Sequence, residues 1–548
     1  MLFAPCVGNK RFTLYAGAAT LALLLPVTAA APRRRHRPTR PAWVAGAEAL
    51  LNQPDQRRAL WGVYVYSLDR HQVLFDHQGE SLLTPASNTK LFTTAATLEL
   101  IGPDYRFHTA VVSDADPDAA GVVHGDLVLV GRGDPNLSGR PLPYRYPVSD
   151  DPKVLIQQPD LPIEELADQI QRRGVKTVVG DIVGDDSYFS HERYAEGWAQ
   201  DDLLWGYGAA VSALCVDDNS ILLHITPGLH AGDPADVQLA PWAGIYTLTN
   251  KVETAPPGSA RQIELDRDPD SNHLVLQGSI PVGDKGDWEA LGVQRPALFA
   301  ARLFKQALER RGIAVYGRAV ARHAPLLPPQ PPPLPVLVPP AKGGEHEADA
   351  PEPAPVQLAD HASVPLVEDL QLIDKISQNL HAEMMLRLLG KLKAGQGSLA
   401  AGREVRRQFL TQVGLGPHDY YLRDGSGLSR ENLVQPAAIV KLLAFMDQQP
   451  VAAAWHSLLP IAGVDGSLDH RFKNTLAEGR IQAKTGYVEH VYALSGYATT
   501  VAGEHLAFSI MVNNDDMPGR QVKAVMDDLA TSFVTGKPPQ PLAVPEKQ

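Results

Sequence analysis

The chain is poor in cysteine. Only Cys6 and Cys215 occur in 548 residues, which excludes a disulfide framework and a cysteine-based zinc site. It is also short of positive charge: 50 Lys and Arg against 62 Asp and Glu leave a formal net charge of −12. An electrostatic grip on nucleic acid needs a basic footprint, which this balance does not offer. Long apolar runs are scarce as well. One, Phe12 to Val27, follows Lys10 and Arg11 and ends in Thr28-Ala29-Ala30-Ala31. That order of charged, apolar and small residues is the order of a cleaved secretory signal, and its apolar part is short for a membrane span. Loss of residues 1–31 removes Lys10, Arg11 and Cys6, which leaves a charge of −14 and a single cysteine. Membrane contact is then at most peripheral, and Cys215, in an apolar strand-like context, reads as a packed core thiol.

What is present is the composition of a folded protein. The hydrophobic share is 44%, and the length calls for two to four domains at about 100–200 residues each. Residues 32–41 are an Arg/Pro-rich spacer. Residues 42–53 have helical spacing, 61–68 read as a strand, and 72–76 as its return. A second helix follows Ser87 and stops at Gly102-Pro103. From 106 to 324 short strand-like runs dominate (Phe107–Val112, Leu127–Val130, Val175–Val183, Ser220–Ile225, His273–Gln277), broken by helical segments at Leu161–Arg173 and Arg295–Arg311. Proline occupies 12 of the 31 positions from 325 to 355, so 325–357 is expected to be a linker. Helices are expected again at Val364–Leu372, Leu399–Gln412, Pro436–Asp447 and Arg520–Phe533, with strands at Val491–Thr499 and His505–Asn513. A tail spans 536–548.

Three short motifs carry chemistry. Ser87-x-x-Lys90 sits at a helix start, where the i, i+3 spacing puts both side chains on one face. A serine hydroxyl needs a neighbouring base to attack, and a lysine serves only when its pKa is lowered by burial or by a nearby cation. Ser377-x-Asn379 offers a hydroxyl for proton relay and an amide to orient a lysine and a substrate carbonyl. Lys484-Thr485-Gly486 offers a cation and a hydroxyl for a carboxylate, and a glycine where a ligand must lie against a strand. Each motif alone has a bland reading as capping or surface residues. Their order and context form the signature set of penicillin-binding proteins and class A β-lactamases.

The surrounding residues narrow the likeness. Thr84-Pro85-Ala86-Ser87-Asn88-Thr89-Lys90, Gly131-x-Gly133-Asp134-Pro135, Gly197-Trp198, Tyr207-Gly208-Ala209, Ser212-Ala213-Leu214, Asp424-Gly425-Ser426-Gly427-Leu428-Ser429-Arg430, Leu459-Pro460-x-Ala462-Gly463-x-Asp465-Gly466-Ser467-Leu468, Ala483-Lys484-Thr485-Gly486 and Leu494-Ser495-Gly496-Tyr497 together resemble the D-alanyl-D-alanine carboxypeptidase/endopeptidase family, the low-molecular-mass class C penicillin-binding proteins. The likeness covers roughly residues 42–535. It implies an α/β (α+β) fold: a β-lactamase/transpeptidase-like catalytic domain, with an antiparallel sheet flanked by helices, split into 42–105 and 358–535. The β-rich region 106–324 is then inserted, as two domains, between the first two motifs.

The resemblance also implies the roles. Ser87 is the acylated nucleophile and Lys90 its general base. Ser377 relays the proton to the leaving amine, and Asn379 orients Lys90 and the substrate amide. Lys484 and Thr485 hold the terminal carboxylate, beside Gly486. The backbone N–H groups of Ser87 and Tyr487 form the oxyanion hole. An acidic residue of the inserted region is expected at the amine of the substrate's diamino acid, with Asp185 the first choice and Asp186 the second. No cofactor or metal is implied. The partners implied are peptidoglycan peptides and β-lactams, and the location is the periplasm, across the inner membrane. Tyr487 departs from the Ser or Thr usual after Lys-Thr-Gly, and its ring is placed to narrow or block the cleft. That leaves open the reading of a non-catalytic cell-wall binding protein of the same fold; a third reading, a β-lactamase or esterase relative, would need faster deacylation.

Overall fold

Strand Leu60–Ser67 turns Trp61, Val63 and Val65 to one side and Tyr64 and Tyr66 to the other. That period of two is what a strand covered on both faces requires. The computed structural model describes residues 41–140, 160–268, 271–325 and 355–539. The signal and nearly all of the spacer, most of the proline-dense stretch (326–354) and the end of the tail (540–548) lie outside the described residues. Leu60–Ser67 lies in a five-stranded antiparallel sheet whose order is Gln72–His77, Leu60–Ser67, His505–Asn513, Val491–Thr499, Ile481–Val488. Strands from the start and the end of the chain therefore share one sheet.

Helices cover both faces of this sheet. Ala42–Leu51 and Gly519–Thr535 pack on one, where Trp43 meets Phe75 and Phe533. Thr89–Ile101, Asn379–Ala394 and Pro436–Met446 belong to the core on the other, with Ala493, Ala507 and Met511 as the sheet's contribution. The expected strands 491–499 and 505–513 and the expected helix 399–412 match the observed bounds. Ile481–Val488 is a further strand on the sheet's edge, so Lys484-Thr485-Gly486 lies within a strand.

The region between has its own core. A second five-stranded sheet runs Ala319–Ala324, Ile182–Ser190, Leu127–Val130, His108–Ser113, Val356–Ala362. Helices Leu161–Arg172 and Pro296–Arg310 pack with it around Leu127, Leu129, Ile163, Ile182 and Phe304. Two three-stranded sheets complete it: Asp236–Ala240, Ser220–Thr226 and Asp287–Gly292, then Thr247–Ala255, His273–Pro281 and Gln262–Asp266. Val356–Ala362 corrects the expected boundaries. It begins inside the expected linker and runs antiparallel to His108–Ser113, so it belongs to the inserted sheet and not to the sheet that carries the motifs.

The chain enters and leaves this region side by side. Phe107 N–H donates to Ser363 Oγ, Ser363 N–H to Phe107 C=O, and Leu366 N–H to Tyr105 C=O. Such a closure lets a large segment sit between two halves of one sheet at small entropic cost.

Candidate active site

The turn Ala86–Asn88 delivers Ser87 to the start of helix Thr89–Ile101. Ala86 has φ 46°, a left-handed value that is costly for a residue with a side chain. Tertiary contacts hold it there. Asn88 Nδ2 donates to Ser495 Oγ at 2.6 Å, and Ser495 to Ser509 at 2.8 Å, which ties the turn to the sheet. Gly427 and Gly486 close in from two sides. A Cβ on Gly427 would lie 1.9 Å from Ala86 O, and one on Gly486 would lie 2.8 Å from Pro85 O and 3.2 Å from Ser87 N.

One turn on, Lys90 is fully buried. Its Nζ donates to Ser87 Oγ at 3.0 Å, to Asn379 Oδ1 at 2.6 Å and to the Ser426 carbonyl at 2.6 Å. Burial, helped by the like charge of Lys484, holds the Lys90 pKa well below its ordinary value. The Ser426 carbonyl is aimed by a rigid loop. Buried Glu383, paired with Arg387, accepts from the N–H groups of Gly425 and Ser426. Asp424 accepts from Gly427 N, Ser429 N and Asn432 Nδ2.

Ser377 and Asn379 bracket the start of helix Asn379–Ala394. Ser377 has φ 65°, which turns the chain sharply before the helix. Asn379 Nδ2 donates to the Tyr207 carbonyl at 3.0 Å, so its amide spans from Lys90 to the inserted region. Lys484, also buried, donates to Ser377 Oγ at 2.9 Å and to its neighbour's carbonyl, Thr485 O, at 2.8 Å. Burial lowers its pKa, and the Asp374 carboxylate opposes that shift. Thr485 Oγ1 donates to Ser467 Oγ at 2.6 Å. The motif residues Ser87, Lys90, Ser377, Asn379, Lys484, Thr485 and Gly486 therefore meet at one edge of the sheet.

Tyr487 does not sit across that edge. Its side chain leaves the strand on the face opposite Gly486, and its ring lies 5.2 Å from Tyr492 with 60% of the residue exposed. The strand's backbone supplies what the ring does not obstruct. Ala483 N–H points outward to Pro460 O, and by the period of two so does the N–H of Tyr487, at the open edge beside the Ser87 turn.

Asp185 is not brought to the cluster. It lies in strand Ile182–Ser190, where its carboxylate accepts from Ser187 N at 2.9 Å and pairs with Arg322 at 3.3 Å. Asp186 likewise accepts from Ser212 Oγ and meets His323. Tyr207, whose carbonyl Asn379 contacts, donates from its hydroxyl to Asp202 Oδ1 at 3.2 Å. Partial burial raises the Asp202 pKa. The sequence reading quoted Tyr207 without giving it a role. It missed Asp202 and also Asp218, which accepts from Gln378 Nε2 at 2.7 Å, meets His381 Nε2 at 3.0 Å and pairs with Arg140. Asp218 and its neighbours Asp217 and Asn219 all have positive φ, between 48° and 52°, which is a local sign of a constrained turn.

The model of the D-Ala-D-Ala carboxypeptidase 3 (S13) family matches residues 44–335 and 342–533. A D-alanyl-D-alanine carboxypeptidase of Actinomadura sp. (strain R39) is 36% identical over 494 residues, 88% of this chain and 82% of that one. The carboxypeptidase DacB of Haemophilus influenzae is 25% identical over 82% of this chain and 85% of that one. The crystal structure of penicillin binding protein 4 from Haemophilus influenzae superposes with a TM-score of 0.72 at 24% identity, covering 89% of this chain and 98% of that chain. It shares the mixed α/β architecture with its added β-rich regions. Agreement of this extent makes the chain a member of the D-Ala-D-Ala carboxypeptidase 3 (S13) family, and with it a serine-type D-alanyl-D-alanine carboxypeptidase/endopeptidase.

Proposed function

We propose that Ser87 is the nucleophile through which this enzyme cleaves peptidoglycan peptides, and that Lys90 is the base that activates it. The observation that carries the reading is the buried Lys90 Nζ, 3.0 Å from Ser87 Oγ with Lys484 close enough to depress its pKa. Lys90 is thus supplied with a reason to be neutral while still in contact with the hydroxyl. Neutral Nζ takes the Ser87 proton as Oγ attacks the carbonyl carbon of the scissile bond. The carbonyl oxygen gains the negative charge and is received by the N–H groups of Ser87 and Tyr487. Collapse of the tetrahedral intermediate expels the amine of the terminal D-alanine, with Ser377 passing it a proton. Water then attacks the ester on Ser87, releasing the acid and restoring the hydroxyl.

Asn379 holds Lys90 in place through Oδ1 and faces the substrate amide. Lys484 and Thr485 receive the substrate's terminal carboxylate, a charge-assisted contact that selects for a free C-terminus. For the amine of the substrate's diamino acid we assign Asp202 in place of Asp185. What supports this is that Tyr207 meets Asn379 through its backbone carbonyl and Asp202 through its side-chain hydroxyl, whereas the Asp185 carboxylate pairs with Arg322. β-Lactams, as acylating mimics of the same peptide, are proposed to modify Ser87. The apolar start of the chain supports export to the periplasm, and among the described residues no helix is long and apolar enough to cross a membrane.

Covalent uptake of a fluorescent penicillin tests the assignment. Wild type is expected to gain one adduct by intact mass and Ser87→Ala none. A wild type without an adduct, or a labelled Ser87→Ala, overturns it.

A further inference from the structure

A second cluster lies in the inserted region. Asp186 is in strand Ile182–Ser190, His191 follows that strand, and His323 is in its parallel neighbour Ala319–Ala324. The register between these strands slips sharply. Arg322 lies opposite Asp185, and Ala324 lies opposite Ser190. His323 alone therefore faces the whole stretch from Asp186 to Phe189. Such a bulge re-aims side chains, and here one ligating atom from each of Asp186, His191 and His323 lies within 4.8 Å of the others.

The three groups are set as ligands are set. His323 Nδ1 and Asp186 Oδ1 are 2.7 Å apart, and the rings of His323 and His191 have centroids 4.0 Å apart. The other oxygen of Asp186 accepts from Ser212 Oγ at 2.7 Å, which fixes the carboxylate's direction as an outer-shell partner does. A plain Asp–His hydrogen bond has no use for a second imidazole against the first. Nearby cations are engaged elsewhere: Arg322 pairs with Asp185, and Arg193 donates to Gln294 O and lies over the Tyr194 ring.

We propose that Asp186, His191 and His323 bind one divalent transition-metal ion of the zinc type, with the fourth coordination position open to water. Two imidazoles and one carboxylate are the ligand set that suits zinc, at about 2.0–2.2 Å from each atom. The ion ties the end of strand Ala319–Ala324 to strand Ile182–Ser190 across the bulge. It lies outside the Ser87 cluster, so its contribution is to the stability of the inserted region.

The test is titration of the purified, chelator-stripped full chain with Co(II), followed by competition with Zn(II). One equivalent of Co(II) is expected, with the visible d–d bands of a four-coordinate N/O site, displaced by one equivalent of Zn(II). His191→Ala and His323→Ala are each expected to weaken binding at least about tenfold while labelling of Ser87 by fluorescent penicillin stays at the wild-type level. His191 is half-buried and outside a strand, so its replacement keeps the test valid if His323→Ala does not fold. Affinity weaker than about 1 mM in wild type, or equal affinity in wild type and His191→Ala, overturns the proposal.

Discussion

Asp218 accepts a hydrogen bond from Gln378 Nε2 at 2.7 Å, so a residue of the inserted region holds the segment that presents Ser377 and Asn379. The same carboxylate meets His381 Nε2, one turn into the helix. Burial alone would raise its pKa, but Arg140 and His381 outweigh that and hold it far below the usual carboxylate range. Asp218 thus carries a full negative charge inside the protein and grips both sides of Asn379.

Asp218→Asn tests that grip. The substitution keeps the shape but leaves Arg140 buried without its charge partner, a loss worth about 3–5 kcal/mol. The expected outcome is a lower Tm together with acylation by fluorescent penicillin slowed at least about tenfold, because small displacements of a positioned group are expensive in rate. A lower Tm with wild-type acylation would show that Asp218 holds the fold only and does not position Asn379.

The protonation states of the two lysines set a pH profile. Lys90 must be neutral to take the Ser87 proton, so acylation rises with pH up to a Lys90 pKa that burial and Lys484 hold below the usual lysine value. Lys484 must be charged to receive a carboxylate, so the rate falls again above its own pKa, which burial also lowers. The expected profile of kcat/KM on a peptide with a free C-terminus is a bell. Lys90→Met is expected to lose activity by about 10²–10⁴ at every pH. A flat profile in wild type would remove Lys90 from the role of base.

Lys484→Ala separates two effects. Loss of the cation removes a charge-assisted contact to the substrate carboxylate, which is expected to lower kcat/KM roughly 10- to 100-fold. It also removes the like charge that depresses Lys90, so the Lys90 pKa rises and the acid limb of the profile moves to higher pH. Rate–pH curves of both proteins check this. An unmoved acid limb would mean that burial alone tunes Lys90.

Legibility followed the range of the interactions. Ser87 and Lys90 share a helical turn, so their meeting is readable from spacing alone. Ser377 and Lys484 lie 290 and 397 positions beyond Ser87, and only a family pattern links them, since no local rule brings an edge strand to a helix start. The Ser426 carbonyl on Lys90 leaves no trace in sequence because every residue has a carbonyl. Val356–Ala362 was hidden by its composition: Pro351, Pro353 and Pro355 run into Gln357, Asp360 and His361, which reads as solvated linker until a partner strand is known. Sequence likeness points to Asp185, then Asp186, and gives no sign of Asp202. Which loop of the inserted region meets Asn379 is a tertiary fact: it is the one that carries Tyr207.

Gly427 offers the sharpest test of how the Ser87 turn is held. It has φ 88°, and a Cβ there would lie 1.9 Å from Ala86 O and 3.0 Å from Ser87 N. Gly427→Ala therefore combines backbone strain with a collision against the turn that presents the nucleophile. Gly395 has a similar φ of 74° but nothing within 4 Å of an added Cβ, so Gly395→Ala carries the strain alone. Both variants are expected to lose about 1 kcal/mol or more from the unfavourable φ, measured by denaturant unfolding. Only Gly427→Ala is expected to lose penicillin labelling as well, because its collision falls on Ala86 and the Ser87 N–H. Wild-type labelling of a folded Gly427→Ala would show that the turn tolerates displacement, and that Ser87 does not depend on the Asp424–Arg430 loop for its position.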